Sequence, residues 1–88
     1  QGKHAEAETL CEQAITIYEM VHGREHPLVA EGLNNQAWLL EAKGEYAEAD
    51  LLYLRAIEIG EKTLGPDHPN VANQLNNRAM LLGTQVRC

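Results

Sequence analysis

An internal repeat constrains this chain more than any other feature. Slid against itself by 42 residues, the sequence places Gly2 on Gly44, Ala5-Glu6-Ala7 on Ala47-Glu48-Ala49, and Ala14-Ile15 on Ala56-Ile57. Further along, Gly23 meets Gly65, His26-Pro27 meets His68-Pro69, Val29-Ala30 meets Val71-Ala72, and Leu33-Asn34-Asn35 meets Leu75-Asn76-Asn77. Of the 46 aligned pairs 20 are identical, whereas unrelated positions agree about one time in fifteen. The matches are small, apolar and turn-forming residues at fixed places, so the repeated unit is structural.

Each unit reads as two helices. Pro27 suits a first helical position, because its fixed φ is helical and its missing N–H needs no partner there. Val29, Ala30, Leu33, Ala37 and Leu40 then recur at three- and four-residue steps, one buried helical stripe. Gly44 supplies a C-cap. Ala49, Leu52, Tyr53, Ala56 and Ile57 form the stripe of the next helix, with Gly65-Pro66 as its stop. No stretch alternates as a strand does. The expectation is an all-α solenoid of four antiparallel helices, over about 3–21, 27–43, 46–63 and 69–83.

The phase of the repeat divides the chain. Residues 1–23 read as the second helix of one unit, 24–65 as a complete hairpin, and 66–88 as the first helix of a third. With 88 residues there is room for one small domain. Helical repeats lean on their neighbours, and about three are wanted for stability. A fragment of a longer array, or ends covered by other copies, is therefore expected.

Charge narrows the partners. Seven Lys and Arg against thirteen Asp and Glu give a net charge of −6. That speaks against nucleic acid and anionic membranes, whose affinity comes from clustered cations. No apolar run approaches a membrane span or a targeting peptide. Cys11 and Cys88 stand at opposite ends, too few for a disulfide scaffold or a zinc site, so a reduced, cytoplasmic setting is expected.

These residues carry a resemblance. Leu33, Ala37 and Leu40, repeated as Leu75, Ala79 and Leu82, fall where the first helix of the tetratricopeptide repeat has its small-and-large pattern. Gly44, Tyr46, Ala49, Tyr53 and Ala56 continue it across the turn, as do Gly2, His4, Ala7, Cys11 and Ala14. The period and the loop Leu64-Gly65-Pro66-Asp67-His68-Pro69 resemble the 42-residue form of kinesin light chains and of sensor arms in signalling NTPases. Two positions depart: Gln36 and Arg78 stand where Leu is frequent, and Val86-Arg87-Cys88 replaces the expected turn. The resemblance implies a right-handed α–α superhelix whose first helices line a concave groove for a peptide or protein partner. It implies no cofactor and no catalysis.

The candidate contacts lie on those first helices. Asn is a poor mid-helix residue, because its amide competes with the backbone. One reading of the pairs Asn34-Asn35 and Asn76-Asn77 is a hydrogen bond to a loop or an adjacent helix. The other is that the amide, donor and acceptor together, holds the backbone of an extended peptide; the resemblance puts Asn35 and Asn77 at that position. Trp38 and Met80 follow Asn34 and Asn76 by four residues and share their face. Trp38 reads as core or as groove lining. Asn73 completes the set, and Arg78 is placed to meet an acidic ligand residue. The basic clamp that chaperone-binding repeats use for a C-terminal carboxylate is missing, since Glu31, Asn35, Asn73 and Asn77 occupy those positions.

Catalytic and metal readings find little support. His26 and His68 recur in the same turn of successive units and read as helix-start or loop-packing residues. His22, Glu25 and His26 are a weak metal constellation. The clusters Glu6, Glu8, Glu12 and Glu45, Glu48, Asp50 read as solvated outer faces. A binding module is the first expectation. The alternatives are a spacer or assembly element that joins copies or domains through its end helices, and a sensor arm of a larger signalling NTPase.

Overall fold

The computed structural model describes residues 2–87, with side chains for 3–83; Cys88 lies outside them. The chain forms α1 (Gly2–His22), α2 (Pro27–Ala42), α3 (Tyr46–Thr63) and α4 (Pro69–Arg87), with no strand among the described residues. The repeated His-Pro step starts α2 and α4. The Nδ1 of His26 accepts a hydrogen bond from the Leu28 N–H at 3.1 Å, and the Nδ1 of His68 accepts one from the Asn70 N–H at 3.1 Å. Each imidazole thus stands in for the Ser, Asn or Asp that usually satisfies the orphan donors of a first turn. His26 itself is extended, with φ −127° and ψ 146°.

Gly44 ends α2. At φ +88° it takes a conformation that side chains with a Cβ rarely adopt. Its N–H donates to the Glu41 carbonyl at 3.0 Å, and the Glu45 N–H donates to the Leu40 carbonyl at 2.9 Å. This pair of bonds is a Schellman cap. In α4 the equivalent residue is Val86, which offers no such exit, and the helix continues to Arg87 instead of stopping near residue 83.

Packing follows the repeat. α2 lies between α1 and α3, and α4 packs on α3. One core cluster joins Ile15 of α1, Val29, Ala30 and Leu33 of α2, and Ala56 and Ile59 of α3. The second joins Ala37 and Leu40 of α2, Ala49 and Tyr53 of α3, and Leu81 of α4. Tyr53, only 1% exposed, donates its hydroxyl to Glu41 Oε1 at 3.1 Å. Burial, reinforced by that carboxylate, pushes the phenol well above its ordinary value.

Two glycines inside helices set how closely helices approach. A Cβ on Gly32 would stand 2.7 Å from Ile15 Cγ1, so α1 and α2 meet there with no room for a methyl group. A Cβ on Gly60 would stand 3.0 Å from Gln74 Oε1 and 3.1 Å from Val71 Cγ2, at the α3–α4 contact. The two sites are complementary in sequence: one period after Gly32 comes Gln74, and one period before Gly60 comes Tyr18.

Polar links run along the outside. Lys43 pairs with Glu8 at 3.2 Å, Arg55 with Glu19 at 2.9 Å, and Lys62 with Glu25 at 3.1 Å, while Gln36 donates to Glu12 at 3.3 Å. The hydrogen bond to Glu8 holds the Lys43 ammonium above its ordinary pKa. The acidic clusters are therefore not merely solvated: Glu8 and Glu12 tie α1 to α2. Such exposed pairs contribute roughly 0–1 kcal/mol each.

Two outcomes are expected. Gly32→Ala lowers the melting temperature, although alanine favours a helix by about 1 kcal/mol, because overpacking against Ile15 costs about 1–3 kcal/mol; thermal melts check this, and a raised midpoint would mean that α1 and α2 can separate freely. Tyr53 strengthens folding fully below the ordinary tyrosine value of about 10 and loses that contribution as pH rises further, since the unfolded phenol ionises first, at up to about 1.4 kcal/mol per pH unit. Urea titrations at increasing alkaline pH should show a shallower stability loss for Tyr53→Phe than for the parent chain.

Candidate functional site

α2 and α4 are the first helices of successive units, and they meet through their asparagines. The Asn77 amide donates from Nδ2 to Asn34 Oδ1 at 3.2 Å, with both side chains half-buried. The pair joins the first Asn of one unit to the second Asn of the next. Asn35 and Asn77, expected to line one groove as equals, differ in setting: Asn77 is half-buried in this bond, whereas Asn35 is exposed. Asn35 and Asn76 are exposed. The periodicity explains the geometry: consecutive residues on a helix point about 100° apart, so only one member of each pair can face the following unit while the other faces the preceding one.

Above this pair, the beginnings of α2 and α4 enclose a hollow of about 190 Å³ lined by Pro27, Leu28, Ala30, Glu31, Asn34, Leu64, Asn70, Asn73 and Gln74. Apolar carbons from α2 and Leu64 contribute part of the lining, and one carboxylate with four amides contributes the polar part. Gln74 is 7% exposed, and its buried Oε1 has no hydrogen-bond partner. That oxygen is turned into the α3–α4 contact beside Gly60, where a carbonyl left unpaired costs about 1–3 kcal/mol.

The remaining expected contacts separate. Trp38 is 61% exposed and borders a shallow recess of about 230 Å³ with Glu41, Ala42 and Tyr46. It is exposed, not core. Met80, its counterpart on α4, is 63% exposed. Arg78 does not stand open to an acidic ligand. Its Nε donates to Asp50 Oδ1 at 2.7 Å and its Nη2 to Asp50 Oδ2 at 3.4 Å, a two-point pair that fastens α4 to α3. The planar fork matches the carboxylate, which is why an Arg here finds Asp50 before it finds a ligand.

Sequence reasoning missed Gln74 and Asn70. Asn70 sits directly after the His68-Pro69 step, and its N–H is the one capped by His68. Gln74 had a detectable signal: it stands where the preceding unit has Gly32, one of three changes in the helix start beside Leu28 to Asn70 and Glu31 to Asn73. Among the described residues no three His, Cys, Asp or Glu side chains gather as a metal site requires. His22 and His26 stack with ring centroids 4.2 Å apart, and the capping bond already engages His26 Nδ1. Cys11 is a half-buried free thiol. No described helix is long and apolar enough to cross a membrane.

The amide pair is testable apart from any ligand. A double-mutant cycle of Asn34→Ala and Asn77→Ala should give a coupling of about 0.5–1.5 kcal/mol in chemical denaturation, while the same cycle on Asn35 and Asn76 gives none.

Comparison with known families agrees with this architecture. No curated protein matches the chain. The family model described as tetratricopeptide repeat matches residues 1–62, which takes in α1, α2 and nearly all of α3. With its helical hairpins, alanine contacts and glycine caps, the chain belongs to the tetratricopeptide-repeat family, whose members in general mediate protein–protein interaction.

Proposed function

We propose that the chain is a non-catalytic binding module that holds an extended segment of a partner protein along α2 and α4, and that this segment is neutral or basic. The observation that carries the reading is the hollow between the starts of α2 and α4, with Glu31, Asn34, Asn70, Asn73 and Gln74 in its lining. Amides grip a peptide backbone without reading its side chains, and Trp38 adds adaptable apolar area beside them. Charge sets the preference. α2 contributes Glu31 and Glu41, and the one cation on α4 among the described side chains, Arg78, is held by Asp50. A basic residue of the guest gains from Glu31; an acidic one finds no free cation among the described side chains of α2 and α4.

The 42-residue period and the Leu64–Pro69 loop support a kinesin-light-chain-like subclass with this altered charge preference, and the two thiols support a cytoplasmic setting. A second reading, in which the chain joins copies through its end helices, is favoured by the exposed Leu10, Ile17, Leu75 and Leu82.

Fluorescence anisotropy with labelled decapeptide pools, graded from acidic to basic, tests the first reading. Neutral and basic pools should bind more tightly than acidic ones. Glu31→Gln combined with Asn73→Ala should weaken binding by about tenfold, the worth of one to two hydrogen bonds, at unchanged helicity. Binding that prefers acidic pools, or that is indifferent to the double variant, would overturn it.

A further inference from the structure

The far end of α2 carries a recess separate from the hollow between the helix starts. Trp38, Glu41 and Ala42 of α2 and Tyr46, the first residue of α3, line about 230 Å³ of space there. All four belong to one hairpin. Trp38 follows Asn34 by four residues and Glu41 follows it by seven, so both share the side of α2 that turns to α4. The helix that neighbours α2 on that side is therefore already in place, and Trp38 is still 61% exposed. Tyr46 is half-buried against the second core cluster, which anchors its ring.

Glu41 stands in this recess with its charge unanswered. The Tyr53 hydroxyl donates to Glu41 Oε1 at 3.1 Å, and Tyr53 is itself buried, so the half-buried carboxylate has a fixed position. A phenol is neutral and leaves the negative charge as it was. None of the ion pairs among the described residues includes Glu41: Lys43, two residues on, is taken by Glu8 and Glu45, and Arg78 by Asp50. The faces of Trp and Tyr rings attract a cation. The carboxylate attracts the same charge, so rings and carboxylate together select by sign.

We infer that this recess seats the ammonium group of a guest lysine, its methylenes against Trp38 and Tyr46 and its charge beside Glu41. The contact goes beyond the binding reading above, because it lies at the other end of α2 and does not depend on the hollow. The chain itself shows why lysine suits it. Asp50 meets Arg78 with both oxygens, the two-point match that a guanidinium asks for. Glu41 has one oxygen beyond its bond to Tyr53, which suits a compact point charge. N-methylation of the lysine keeps its charge, and the rings accept the methylated head as readily as the plain one.

Trp38 is the only Trp in the chain, so its indole N–H gives one resonance in isotope-labelled protein and reports on this recess alone. Titration with N-acetyl-lysine methylamide should shift that resonance saturably. The Nε-trimethyl derivative, charged but without an ammonium N–H, should do the same. The uncharged norleucine analogue should bind about fivefold more weakly, the worth of a cation–π contact at an open site. Glu41→Gln keeps an acceptor for Tyr53, and at unchanged helicity it should remove most of the preference for lysine. Glu31→Gln with Asn73→Ala, which alters the hollow, should leave these shifts as they are. Norleucine binding as well as lysine, or a lysine preference that survives Glu41→Gln, would overturn the inference. So would a trimethyl derivative that does not bind, since the rings would then contribute nothing. Shifts lost in the Glu31 and Asn73 variant would move the ammonium to the hollow and overturn the inference while supporting the earlier reading. An indole resonance that no probe moves would overturn the recess alone.

Discussion

No helix here can bury its apolar stripe by itself, and the rest of the structure follows from that. α2 succeeds because it has neighbours on two sides: Val29 and Gly32 belong to its contact with α1, Ala37 and Leu40 to its contact with α3. Burial of this kind, at about 25 cal/mol per Å² of apolar surface, is non-directional. Direction comes from the small residues, which decide how near two backbones come, and from the caps, which decide where each helix begins and turns.

Much of this was legible in the sequence. The stripe Val29, Ala30, Leu33, Ala37, Leu40 is buried throughout, because a period near 3.6 with small residues leaves no other exit for those side chains. The glycine stops lay where expected, since Gly23, Gly44 and Gly65 all take φ near +90°. The site was less legible. Periodicity assigns a residue to a face but not to a partner, so nothing in the sequence distinguished Asn77 bonding to Asn34 from Asn77 waiting for a ligand. Arg78 likewise read as a free cation until Asp50, 28 residues earlier, was found against it. Long-range polar pairing depends on interhelical distance, which a repeat pattern leaves unspecified.

Charge and amide chemistry are thereby sorted in space. Lys43, Arg55, Lys62 and Arg78 are all engaged by carboxylates at interhelical or loop contacts. The face shared by α2 and α4 is left with Glu31 and a set of amides. A fold that uses its cations as braces presents a surface of different character from one that lays them along the groove, although the two have the same helices and the same period.

The exchange of large and small residues between the two interior glycine sites has one more effect. Tyr18, half-buried against the cluster that contains Val29, is the equivalent of Gly60 one period earlier, and Gln74, which packs on Gly60, is the equivalent of Gly32. Were α4 to displace α2 from α1, ring and amide would compete for one volume; α2 set against α3 in place of α4 would leave glycine facing glycine across a void. Near-identical units are thus given a fixed order, and a frame slip between them is penalised from both directions.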